Sequence, residues 1–184
     1  YREWFIRRCF EALNEENPLD DRGIVSLAEV QARNVNGTHR NVGLVVETRP
    51  DLVTREGLLE LRRQGVTKIQ IGVQSMDDDV LLRNRRGHTA AEAEEAVALV
   101  RAAGYKVVLH WMPNLLGATP ESDRRDFSRL WREGGLQPDE LKIYPCQLLE
   151  SAELYRYWQA GEYQPYAEET LISLIADVKL EVPR

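Results

Sequence analysis

Two rhythms alternate along this chain. Short apolar runs end in a polar residue, and between them apolar residues return every three or four positions. The runs Val42 to Glu47 (VGLVVE), Thr67 to Val73 (TKIQIGV), Lys106 to Met112 (KVVLHWM) and Leu141 to Pro145 predict four strands. The helical rhythm predicts a helix over Arg55 to Gln64, carrying Leu58, Leu59 and Leu61 and stopped by Gly65. A short helix follows at Asp77 to Arg83. Thr89 caps a longer one through Ala103, with Glu92 in capping-box register and Gly104 at its end. Further helices are expected at Pro120 to Trp131, Ala152 to Gln159 and Glu168 to Lys179. Upstream of the first strand, Arg2 to Asn14 reads as an amphipathic helix with Trp4, Phe5, Cys9, Ala12 and Leu13 on one face. Asn17-Pro18 and Gly23 mark a loop. Ser26 then caps a short helix with Glu29 at its third position, and Asn36-Gly37 closes it.

Strands that alternate with helices build βα units and a parallel sheet. No G-x-G-x-x-G or G-x-x-x-x-G-K-[ST] phosphate loop follows any strand, which disfavours a doubly wound nucleotide-binding sheet. A closed β/α barrel takes about eight strands and roughly 250 residues. A chain of 184 residues with four such strands therefore predicts an α/β fold that is part of a parallel barrel, or a smaller, open version of one. The absence of an initiating Met predicts that the chain starts within a longer protein.

Composition narrows this picture. Hydrophobic residues make up 43% and charged residues 29%, which suits a globular domain with a real core. The net charge of −6 argues against a whole-domain electrostatic grip on nucleic acid and leaves room for a local basic patch. The two cysteines, Cys9 and Cys146, lie far apart with no C-x-x-C or Cys/His cluster. That excludes a disulfide scaffold and any standard zinc or iron–sulfur spacing within the chain, and it fits a reducing cytoplasm. No apolar stretch is long enough to span a membrane.

In parallel β/α folds the chemistry sits at the carboxyl ends of the strands, so the four strand exits carry the candidates. The first is Glu47-Thr48-Arg49-Pro50-Asp51, a carboxylate beside a guanidinium with Pro50 stiffening the exit. The second is Gly72-Val73-Gln74-Ser75, where Gly72 admits a close approach and Gln74 offers donor and acceptor without charge. The third is Asn84-Arg85-Arg86-Gly87-His88-Thr89, whose arginines precede a helix start and suit a carboxylate or phosphate. The fourth pairs His110-Trp111-Met112-Pro113-Asn114 with Lys142-Ile143-Tyr144-Pro145. His110 and Met112 share one strand face, as do Lys142 and Tyr144. The reading adopted is that His110 faces the barrel lumen, where a buried cationic or imidazole group is costly unless paired or used. Taken singly, each exit also fits an ordinary polar turn; a polar cluster on every exit is what an enzyme needs.

Together these segments resemble the catalytic subunit of Elongator. Glu47-Thr48-Arg49-Pro50-Asp51 looks like that family's E-T-R-P-D motif and Ile71-Gly72-Val73-Gln74-Ser75 its I-G-V-Q-S strand. Arg86-Gly87-His88-Thr89 is similar to its N-R-G-H-T turn, with Arg85 where the family usually has Asn. Lys106 to Leu115 resembles its K-V-V-x-H-x-M-P-D/N-L segment, and Leu141 to Pro145 and Leu154 to Tyr163 continue the likeness. Tyr1 to Phe5 resembles the helix after that family's glycine-rich strand.

The resemblance implies a partial (β/α) barrel of radical-SAM type, spanning residues 1–184. It lacks the N-terminal cluster-binding strand and the C-terminal acetyltransferase-like domain of the family. It also implies an enzyme that uses S-adenosylmethionine, an iron–sulfur cluster and acetyl-CoA to carboxymethylate C5 of the tRNA wobble uridine. The cluster's cysteines would lie outside this chain, so the piece alone is expected to be inactive. tRNA and other Elongator subunits are the implied partners. By analogy, Glu47, Arg49, Gln74, Arg86 and His88 are expected to contact S-adenosylmethionine, with Arg86 taking its carboxylate. His110, Lys142 and Tyr144 are expected in the lumen where the transferred group or the uridine sits. Arg62, Arg63, Lys68, Arg83, Arg85 and Arg86 are expected phosphate contacts. Other radical-SAM enzymes, such as the coproporphyrinogen-oxidase-like group, share G-V-Q-S, and a cluster-free relative that only binds tRNA or protein is the non-enzymatic alternative.

Overall fold

A computed structural model describes residues 1–14, 25–132 and 135–183. Helices α1 (Arg2–Glu11) and α2 (Leu27–Asn34) precede strand β1 (Val45–Thr48). Then follow α3 (Arg55–Arg63), β2 (Lys68–Gln74), α4 (Asp78–Arg83), α5 (Ala90–Ala102), β3 (Lys106–Trp111), α6 (Pro120–Arg129), β4 (Glu140–Ile143), α7 (Leu154–Gln159) and α8 (Glu168–Leu180). The four strands form one sheet in the order β1-β2-β3-β4, every neighbour parallel. That is the partial parallel β/α architecture expected from the alternating rhythm.

The caps explain where the helices begin. Thr54, Thr89 and Thr119 each accept one backbone N–H of the first turn of the helix that follows and Asp77 accepts two, which pairs donors that would otherwise be left open at these starts. Both reciprocal bonds of the capping box are present at Ser26/Glu29 and Thr89/Glu92.

The two faces of the sheet differ. Ile69, Ile71 and Val73 of β2 and Val107, Leu109 and Trp111 of β3 point to one side. There they join Leu58, Ala93, Val97, Val100, Phe127, Leu130, Leu174 and Val178 in a single core. The alternate residues, Gln70 and Gly72 of β2, His110 of β3 and Lys142 of β4, point to the other side with Glu47 of β1. The apolar face is covered by helices; the polar face is the inner wall of the open barrel.

Several boundaries depart from the sequence reading. β1 starts at Val45 rather than Val42, although the Leu44 carbonyl already accepts the N–H groups of Thr67 and Lys68. Pro50–Leu52 is a 3-10 turn. In α1 the buried apolar residues are Ile6 and Phe10, which pack on Leu27 and Val30 of α2, while Trp4 and Phe5 are about half exposed. The helix is amphipathic as expected, but its inward face is not the one carrying Trp4, Phe5, Cys9, Ala12 and Leu13; Arg7 and Glu11 are also buried, paired to each other at 2.8 Å. Asn17-Pro18 and Gly23 lie outside the described residues.

Candidate active site

The exit of β2 is irregular. The register with β3 shifts between Ile71 and Gln74, and Gln74 has a φ of 69°, in the left-handed region. This turn is pinned from behind. Asp126 of α6 accepts the Met76 N–H at 2.7 Å and the Trp111 indole N–H at 2.8 Å. Trp111 in turn packs edge-on against Phe127, centroids 4.9 Å apart.

Two groups of side chains meet on the polar side. The first surrounds Gly72. Arg86 donates to the Gly72 carbonyl at 3.3 Å, and the Gln74 amide lies against the same glycine. Gln74 Oε1 and Arg86 Nε are buried and find no partner among the described residues. Burial, reinforced by nearby Arg49, lowers the Arg86 guanidinium from its ordinary value. Arg49 itself forks onto Asp51, with Nε donating to Oδ1 at 3.0 Å, and that contact holds the Asp51 carboxyl below the usual range. His88 is buried, its Nε2 3.1 Å from the Val73 carbonyl.

The second group lies across the strands. His110 Nε2 and Lys142 Nζ each stand 2.7 Å from Gln70 Oε1. His110 Nδ1 faces Glu47 Oε1 at 3.5 Å, and the Tyr144 ring meets the imidazole edge-on at 5.3 Å. Burial lowers the His110 pKa from its ordinary value; Glu47 opposes that and Lys142 adds to it.

The sequence-predicted residues therefore fall into two sets. Glu47, His110, Lys142 and Tyr144 are brought together, and Gln74 and Arg86 meet at Gly72. Asn114 lies behind the wall. Its backbone N–H donates to Asp123 at 2.8 Å, its amide to the Cys146 carbonyl at 3.1 Å, and its own carbonyl accepts from Tyr163. The expected basic patch is dispersed. Arg62 stacks over Tyr105 at 4.0 Å and donates to Ala103, Arg63 pairs with Glu60, and Arg85 pairs with Glu153. Lys68, at the amino end of β2 and away from the strand exits, pairs with Glu140. Gln70 was missed. The alternation of Lys68, Gln70 and Gly72 on one face of β2 is the signal that would have found it.

A parallel sheet with one helix-covered apolar face and one polar face defines a β/α-barrel domain whose chemistry lies on the inner wall and the strand exits. Residues 15–129 match the Radical SAM superfamily and residues 138–184 the Radical SAM C-terminal domain. The chain belongs to the radical SAM superfamily. Over its whole length it is 37% identical to a tRNA uridine(34) acetyltransferase of Methanocaldococcus infernus and 33% identical to Elongator complex protein 3 of Mus musculus. It spans about a third of the length of these curated relatives, 33% and 32%. The solved archaeal Elp3 of M. infernus with its N-terminus deleted superposes with a TM-score of 0.89 at 36% identity. That match covers 100% of this chain and 42% of the other.

The superfamily implies S-adenosylmethionine and a 4Fe–4S cluster. The residues at Gly72 fit the first. The two side chains that reach Gly72 with Gln74 Nε2 and Arg86 Nη2 each keep a buried polar atom, Gln74 Oε1 and Arg86 Nε, without a partner among the described residues, which suits a ligand rich in hydroxyls, an amine and a carboxylate. They do not fit the second. The whole sequence has two cysteines, and among the described residues no group of three His, Cys, Asp or Glu is placed to hold a metal ion. No helix among the described residues is long and apolar enough to cross a membrane.

Proposed function

We propose that this chain is the inner-wall portion of a radical S-adenosylmethionine enzyme that uses acetyl-CoA to carboxymethylate C5 of the tRNA wobble uridine. The observation that carries this reading is likeness along the entire chain, at about a third identity, to proteins named for tRNA uridine(34) acetylation and for Elongator. On this reading the 184 residues are a partial radical-SAM barrel, with the cluster ligands and an acetyltransferase-like domain supplied by other parts of the protein. tRNA and acetyl-CoA are its substrates, other Elongator subunits its candidate partners, and the cytoplasm its compartment, which two unbridged cysteines suit.

S-adenosylmethionine, when bound with the cluster, supplies the radical chemistry. The chain's own residues supply position. Arg86 takes the carboxylate of the cofactor, because its partly buried fork is worth more there than in water. Gln74 and Glu47 take the ribose or amino group. Arg49, tied to Asp51, and His88, tied to the Val73 carbonyl, stiffen the rim next to these contacts. His110, Lys142 and Tyr144 line the wall where the uridine sits; a base extruded from the anticodon loop presents its edge and face to such a wall.

The test is made on the full-length protein, reconstituted with its cluster under anaerobic conditions. It is expected to form deoxyadenosine from S-adenosylmethionine and reductant, and to convert the wobble uridine of transcribed tRNA in the presence of acetyl-CoA, read by nucleoside mass spectrometry. Deoxyadenosine formation with no change at the wobble uridine would keep the superfamily assignment and overturn this substrate.

A further inference from the structure

We infer that Gln70 is a positioning residue that commits His110 to carrying its fixed proton on Nε2, leaving Nδ1, beside Glu47, as the atom that takes up and releases a proton at the inner wall. The inference rests on the reading of this wall as the active site.

Lys142 fixes the orientation of the Gln70 amide. A lysine ammonium is a donor only. The Gln70 atom 2.7 Å from Lys142 Nζ must therefore be the amide oxygen, which settles an orientation that an isolated glutamine leaves open. That same oxygen lies 2.7 Å from His110 Nε2. An amide oxygen is an acceptor only, so Nε2 must carry the hydrogen. Nδ1 is then the imidazole's remaining lone pair in the neutral form. It faces Glu47 Oε1 at 3.5 Å, a separation at which protonation of Nδ1 turns an unpaired approach into an ion pair.

The charges around the ring set this balance. Burial opposes the imidazolium most, Glu47 on β1 favours it, Lys142 on β4 opposes it, and the Tyr144 ring, just after β4, meets the imidazole edge-on. Gln70, on β2, is the neutral member of the set. It joins a donor on β3 to a donor on β4 without adding charge. A carboxylate there would hold both donors equally well but would favour the imidazolium. Glutamine fixes the tautomer and leaves the proton free to move.

The test uses the intact protein labelled with ¹⁵N-histidine and read by long-range ¹H–¹⁵N spectra across a pH titration, with the His110 signals identified by their loss in His110→Gln. In the native protein the neutral ring is expected as the Nε2–H tautomer. Gln70→Glu is expected to keep that tautomer and raise the His110 midpoint by about one pH unit or more, as a nearby opposite charge does. Gln70→Leu, with folding checked by circular dichroism, is expected to lose the single tautomer. Native protein with Nδ1–H as the major tautomer would overturn the inference, as would a Gln70→Glu midpoint that does not rise. If Gln70→Leu fails to fold, those two measurements still decide. None of these readouts needs turnover, so failure of the proposed tRNA reaction and failure of this inference are distinguishable.

Discussion

A β-carbon on Gly72 would stand 2.9 Å from Gln74 Nε2 and 3.4 Å from Arg86 Nη2. Both neighbours are the far ends of flexible side chains, so a methyl group here moves them rather than the backbone. Gly72→Ala is therefore expected to change stability by less than about 1 kcal/mol while displacing the two groups assigned to the cofactor. Equilibrium binding of S-adenosylmethionine to the full-length protein should weaken by at least about tenfold, some 1.4 kcal/mol. Unchanged affinity with a large fall in melting temperature would show that Gly72 serves packing instead.

Arg86→Lys tests the fork. The substitution keeps a positive charge but removes the planar set of donors, including the buried Nε that no group among the described residues satisfies. If Arg86 binds a carboxylate through two parallel bonds, affinity for S-adenosylmethionine should fall by about tenfold, with a much smaller fall for S-adenosyl analogues that lack the carboxylate. Equal losses for both ligands would move the carboxylate away from Arg86.

How much of this was legible beforehand follows from what each residue answers to. The strands and most helices were legible because hydrophobic period and cap residues are local signals, and the Thr89/Glu92 and Ser26/Glu29 boxes formed as expected. His110 and Lys142 were expected together on the lumen side, but Glu47 was expected with Gln74 at the cofactor, and its approach to His110 depends on the strand order, which no local signal carries. Gln70 was not singled out, since it lies two residues before the exit at Gly72 and only the strand's parity brings it onto the same face. Asp123 and Asp126 were invisible for a different reason. Acidic residues on a helix usually face solvent, and nothing local says that these two, Asp123 in the first turn and Asp126 further along, turn inward beneath Asn114 and Trp111. The dispersal of the arginines was equally non-local: Arg62 and Arg85 take partners 41 and 68 residues away.

Trp111→Phe probes the pin behind the β2 exit. It keeps an aromatic ring against Phe127 but removes the indole N–H that Asp126 accepts. One oxygen of a buried carboxylate is left short of a donor, a loss of about 1–3 kcal/mol. The Trp111 bond is among the contacts that restrain an Asp126 pKa already raised by burial. Without it the folded-state pKa rises further. The ionised form is then penalised more, so urea denaturation should show a larger loss at pH 8 than at pH 5. An equal loss at both pH values would mean that the cost is packing alone.

Asp123 gives the clearest dependence on pH. Burial pushes its carboxyl up to about 6 from an ordinary 3.8, against the bonds from the Asn114 N–H and the Tyr166 hydroxyl, both on Oδ2 at 2.8 Å. A pKa raised in the folded state means that the folded protein holds this proton more tightly than the unfolded chain. The stabilisation is complete below about pH 4 and is lost as pH rises through about 6. A rise of about two pH units corresponds to roughly 3 kcal/mol. Asp123→Asn resembles the protonated acid: its amide oxygen accepts the same two donors, and its NH₂ stands where the acid O–H would be. The variant should match the native protein near pH 4 and exceed it by up to about 3 kcal/mol at pH 7. Carboxyls whose pKa is lowered, such as Asp51 and Asp139, lose stability as the solution is acidified. They do so in both proteins and cancel in the difference. Urea denaturation of the two proteins side by side between pH 4 and pH 8 reads that difference directly. A gap that stays constant with pH would place the Asp123 proton transition at its ordinary value and remove the carboxyl from the buried network.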